Sequence, residues 1–212
     1  MNIRKQMTYC FGIAALAMVS LAGCAERGPI RLHISYLQPE ERHVAATKVV
    51  VGLSLFKDDR GKPLSVLGKS TYESGVENDL VVQGTVSELV RARSKEAFTA
   101  RGVVVKDAAW DMKAEDIHRN GADLLIGGEI KALSVDSISK PFKTTIKAVV
   151  QMKVVVADTA EKKIVRTLDV SSKLESEMWP YSPQKIENIL SEALSAAIDQ
   201  IFKDDDLKKR LP

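Results

Sequence analysis

The chain has 212 residues, 28% of them charged and 45% hydrophobic, with a formal net charge of +3. That length suits one globular domain whose core needs no disulfide or metal to hold it. Charge gives no case for nucleic-acid binding: setting aside an N-terminal leader that holds Arg4 and Lys5, the 31 basic residues fall to 29, against 28 acidic ones.

The leader comes first. Arg4 and Lys5 form a positive start, and from about Met7 to Ala22 the chain is apolar or small. A run of roughly sixteen residues falls short of the about twenty that a spanning helix needs. Charge, a short apolar stretch and then small residues predict a secretory signal peptide over 1–23, with an uncleaved anchor as the alternative. Leu21-Ala22-Gly23-Cys24 resembles the lipobox of bacterial lipoproteins. The resemblance implies cleavage between Gly23 and Cys24, a diacylglyceryl group on the Cys24 sulfur and, usually, acylation of the new amino group. Stable anchoring needs more than one acyl chain, and two or three satisfy it without a membrane-spanning helix. Ala25 stands where an Asp commonly retains such proteins in the inner membrane, which favours the outer membrane and a periplasmic face. Cys10 leaves with the leader and Cys24 carries lipid, so neither a disulfide nor a cysteine metal site is expected.

Residues 24–43 read as the lipidated cysteine and a tether. If extended, the tether reaches at most about 70 Å. Within it Ile30, Leu32, Ile34 and Tyr36 alternate with Arg31, His33 and Ser35, which fits either a half-buried edge strand or a floppy linker. A globular domain follows over 44–203. Val44 to Phe56 predicts a buried, central strand, ending in the turn Lys57-Asp58-Asp59-Arg60-Gly61, with a loop through Pro63, Gly68 and Gly75 to Asn78. Thr85-Val86-Ser87-Glu88 fits a capping box opening a helix, closed by Gly102. Val103 to Val105 predicts a short buried strand, Asp111 to Asn120 a second helix, and Ala122 to Ser137 a strand in which Gly127-Gly128 suggests a bulge.

The clearest pattern follows. Phe142, Thr144, Ile146, Ala148, Val150, Met152, Val154 and Val156 share one face of a strand. After a turn at Asp158 to Lys162, Ile164, Leu168, Val170 and Leu174 alternate with polar residues. This predicts a long antiparallel hairpin with one wet face. Ser182 and Pro183 open a last helix with an Ile/Leu stripe from Ile186 to Ile201; Glu187, Glu192, Asp199 and Lys185 make its polar face. The tail, 204–212, is charged and expected to fray. The order β-α-β-α-β-β-β-α predicts a single α+β (α/β-like) domain with a mixed sheet and helices mainly on one face.

The mature chain resembles the YajG-type bacterial lipoproteins. The resemblance rests on Leu21-Ala22-Gly23-Cys24, the first strand leading into Asp59-Arg60, Thr99-Ala100-Arg101-Gly102 before a Val-rich strand, and the late hairpin with its amphipathic helix. It implies an outer-membrane lipoprotein with no catalytic signature; the segment Trp110 to Gly121 is longer than the family leads one to expect. More loosely, the chain resembles small lipoproteins that serve as accessory subunits of envelope machines.

No enzyme is expected. His33 and His43 lie in the tether and His118 on a polar helix side, so a triad or a histidine metal site is hard to build. Asp58-Asp59-Arg60 reads as a solvated turn, its adjacent carboxylates pointing apart. Gly127-Gly128 lacks a Lys-Ser/Thr partner for phosphate, and Glu129 reads as structural. Trp179 and Tyr181, bracketed by Pro180 and Pro183, fit either a partner-binding loop or a hydrophobic staple for the last helix. The function expected is a membrane-anchored binding or assembly module, with an envelope protein or a second copy as partner and no cofactor. The alternative is an accessory lipoprotein of a transporter or cell-wall machine that holds a small ligand in a cleft.

Overall fold

The computed structural model describes residues 28–39, 48–118 and 121–211. A three-stranded antiparallel ribbon is its spine: β7 (Leu124–Lys140), β8 (Lys143–Asp158) and β9 (Lys163–Met178). The free edge of β7 receives three parallel segments in succession, β2 (Val50–Leu53), β3 (Lys57–Asp58) and β4 (Val66–Thr71). Beyond β2 lies β6 (Val104–Asp107). Beyond β4 lie β5 (Glu77–Val81) and then β1 (Ile30–Arg31). Among the described residues the result is one mixed nine-stranded sheet, the α+β architecture read from the element order.

Helices α1 (Val86–Thr99) and α2 (Pro183–Ile201) contribute to one main core that draws on the sheet. The alternation in β8 explains it: Thr144, Ile146, Ala148, Val150, Met152, Val154 and Val156 are all buried. The Thr85 hydroxyl accepts from the Glu88 N–H and Glu88 reaches back to the Thr85 N–H, completing the expected capping box. Gly102, at φ +77, closes α1: its N–H meets the Thr99 carbonyl, and the Val103 N–H meets that of Phe98.

Several local expectations change. The stretch expected as a loop between Gly61 and Asn78 contains β4 and the start of β5, which form a hairpin. Gly68 there is a close-approach position, where a Cβ would stand 2.1 Å from the Val135 carbonyl oxygen. Val104 is half exposed because, among the described residues, β6 pairs only with β2 and forms an edge, not a buried strand. Asp111 to Asn120 holds only a 3-10 turn, Ala114–Asp116, within its described part. The segment instead spreads over the second face of the sheet, where Trp110 and Ile117 cover Leu125, Val155 and Ala157. Gly127-Gly128 carries no bulge; the irregularity falls at Ile130/Ala132, and Gly128 is the floor against which the Phe56 ring lies. Phe142 leaves the buried face altogether, since it sits in the β7–β8 turn at φ +60. The tail forms α3 (Asp205–Arg210), capped by Asp204 and pinned by buried Leu207.

The segment 30–37 is folded, against the floppy-linker reading, but only Ile30–Arg31 pair as an edge strand; the rest runs in extended form along α2. Leu32, Ile34 and Tyr36 are buried. Between them, the N–H groups of His33, Ser35 and Leu37 donate to Glu187 Oε1, Ser191 Oγ and Ser195 Oγ at 2.8, 3.1 and 2.8 Å. Two residues of extended chain advance about 6.6 Å and four residues of helix about 6.0 Å, so the two repeats stay in step. Glu187 therefore faces the protein rather than the wet side of α2. Asp199 joins it: Tyr36 Oη donates to Asp199 at 2.6 Å, and Arg101 donates to both at 2.7 and 2.8 Å while stacking 3.8 Å over Phe202. Burial lifts the Tyr36 phenol to about 12, so it stays a donor at any physiological pH.

Candidate functional site

The end of the ribbon where β7 turns into β8 is the most exposed apolar feature among the described residues. The turn Pro141-Phe142 is short because Lys140 pairs with Lys143. Two-residue turns demand a left-handed backbone, and here Phe142 supplies it. Its ring is 81% exposed. Trp179, just beyond β9, is 66% exposed with its ring centroid 6.2 Å from that of Phe142. Ile138 adds a half-exposed side chain nearby on β7. Lys143 pairs with Glu177 across the same tip.

The structure separates the two aromatics that the sequence grouped. Tyr181 folds back onto the protein. Its hydroxyl accepts from Ser70 at 3.3 Å, Ser70 in turn accepts from Ser137, and its ring packs 5.2 Å from that of Tyr72. Burial raises its phenol to about 12. Trp179 instead points outward. Replacing Trp179 with alanine is expected to change unfolding free energy by no more than about 0.5 kcal/mol, as for other exposed positions. Tyr181→Ala should cost clearly more. Denaturant unfolding of both variants checks the split, and a large loss for Trp179→Ala would return it to the staple reading.

Phe142 was legible only as one more apolar position on a buried face. The signal that places it outside is Lys-Pro-Phe-Lys between two strands, with proline at a turn position and lysines on both sides.

The other groups considered for chemistry serve as braces. Asp58 and Arg60 form a bidentate pair at 2.8 Å, their side chains only 6% and 2% exposed. Arg60 also donates to the carbonyls of Val66 and Leu133, bridging the gap between β3 and β4 to the bulge of β7. The expected solvated turn is thus half buried. Asp59 points away, as adjacent residues on extended chain must, and pairs with Lys131, which Glu129 also meets. His33 and His118 are exposed; His43, Gly23 and Cys24 lie outside the described residues. Among the described residues no group of three or more His, Cys, Asp or Glu side chains is placed to hold a metal, and no helix is long and apolar enough to cross a membrane. The depressions beside Lys69, Glu77 and Asp79, and beside Lys163, Asp206 and Lys209, are open and lined by charge.

No family model and no curated relative matches the chain. The crystal structure of protein XCC0632 from Xanthomonas campestris, of the family DUF330, shares the fold. It has a TM-score of 0.54 at 8% identity, over 81% of this chain and 91% of that one. Looser likenesses, which carry no argument, include a homologue of the neuraminyllactose-binding hemagglutinin from Helicobacter pylori (TM-score 0.46, 12% identity, 85% of this chain and 98% of that one). Lipoprotein GNA1162 from Neisseria meningitidis is another (TM-score 0.37, 14% identity, 74% and 99%).

Proposed function

We propose that this chain is a lipid-anchored protein of the bacterial envelope, of YajG type or a close relative, held at the outer membrane and facing the periplasm. It works as a non-enzymatic binding or assembly module. One observation carries the reading. Ile30, six residues after the cysteine that ends the lipobox-like leader, already pairs with Leu80 of β5, so lipid on Cys24 would hold the domain close to the bilayer surface. The polar clusters Asp58–Arg60 and Tyr36–Arg101–Asp199 support the non-enzymatic part, since each is spent on joining elements. Trp179, rather than Tyr181, is the residue of the late loop that is free to make an outside contact, with a partner or with the membrane itself.

In a lipoprotein-processing bacterium the full chain should fractionate with membranes. Cys24→Ala should move it to the soluble fraction or leave it unprocessed. A Cys24→Ala protein that is cleaved normally and stays membrane-bound would refute the anchor.

A further inference from the structure

Strand register places Gly28 toward the same end of the sheet as the aromatic tip. Ile30 pairs with Leu80, and Leu80 with Gly68. Two residues back along β1, Gly28 stands level with Ser70, and Ser70 pairs with Ser137 of β7. Phe142 lies five residues beyond Ser137, which extends the tip by about 15 Å. Residues 30–37 are fixed against β5 and α2, so they lend no slack. The four residues from Cys24 to Gly28 span at most about 14 Å. The reach of the anchor therefore matches the protrusion of the tip, and an anchored domain cannot turn this end far from the bilayer.

We infer that this end of the sheet rests on the membrane that holds the Cys24 lipid, with Phe142 and Trp179 seated among the lipid headgroups. The inference deepens the proposed function and rests on its lipidated Cys24. The chemistry suits the location. Exposed aromatic rings with an apolar body and, for Trp, one N–H donor are favoured at the membrane interface. Lys143 is neutralised by Glu177 across the tip, so ring insertion rather than attraction to anionic lipid supplies the contact. The ribbon then stands away from the surface. Trp110, packed on Leu125 and Ala157 at its other end, is about 50 Å from the tip along β7.

The two tryptophans provide the test and its internal control. The mature lipidated chain is incorporated into vesicles of phosphatidylethanolamine and phosphatidylglycerol, with ordinary or brominated acyl chains, and recovered by flotation. Brominated lipid should remove the Trp179 share of the emission and leave that of Trp110, with little dependence on salt. Trp179→Phe, a change at an exposed position, should abolish the quenching while the protein still floats. Flotation with equal emission in both vesicle types would overturn the orientation alone. Failure of acylated protein to float would overturn the anchoring and the orientation with it.

Discussion

Replacing Arg60 with methionine should lower the unfolding free energy by about 3–5 kcal/mol, the range for removing one partner of a buried ion pair. The guanidinium serves three elements at once: it pairs with Asp58 on β3 and caps the carbonyls of Val66 on β4 and Leu133 on β7. Without it, the buried carboxylate keeps only the backbone N–H of residue 60 and loses its cation, and two carbonyl oxygens lose the guanidinium donor. The pairing holds the Asp58 carboxyl below the usual carboxylate range, chiefly through the Arg60 hydrogen bonds. A carboxyl depressed in the folded state stabilises the protein above its unfolded value of about 3.9, and that contribution fades as pH falls through the lower folded value. In Arg60→Met the sign reverses, because burial without a cation favours the protonated acid. The gap between the two proteins should therefore narrow on acidification. Denaturant midpoints at neutral pH and near pH 4 check both parts; an unchanged midpoint at neutral pH would contradict the brace. Asp58→Leu combined with Arg60→Met should recover part of the loss, since the two carbonyls stay uncapped.

The second large effect lies in α2. Ile198 is fully buried and Ile189 nearly so, both in the main core. Truncating either to alanine should cost about 2–5 kcal/mol, the transfer of the lost atoms plus the cavity they leave. The competing idea, an amphipathic helix lying on lipid, would expose that stripe. The structure turns it onto β8 and β9 instead, and even part of the expected polar face is occupied, by Glu187 against the 30–37 segment. Thermal or denaturant unfolding of Ile198→Ala gives the answer; a loss under about 1 kcal/mol would mean the helix is not core.

What could be read from the sequence followed the strength of local pattern. The β8–β9 hairpin, α1 and α2 were legible because each buries a face with a regular period over three or more turns or many strand residues. The capping box at Thr85 and the Schellman end at Gly102 were legible because their chemistry is local. The β4–β5 hairpin was not, since its strands need Gly68 and Ser70 at inward positions for close approach to β7, and those residues read as loop. The segment Trp110 to Ile117 misled because its apolar residues serve the opposite face of the sheet, not a helix stripe. At the candidate site, the sequence pointed to the Trp179–Tyr181 loop. It could not reveal Phe142 as its neighbour, nor that Tyr181 turns inward, because both depend on where β7, β8 and β4 come together. The position of Gly28 toward that end of the sheet is likewise a product of register across β1, β5, β4 and β7.

Everything proposed about location depends on the chemistry of one residue, and the intact mass of the mature protein tests it most directly. The chain, produced in a bacterium that processes lipoproteins, should begin at Cys24 and carry the added mass of two or three acyl chains on that residue. A mature N-terminus at any other position, or Cys24 with a free thiol, would contradict the account.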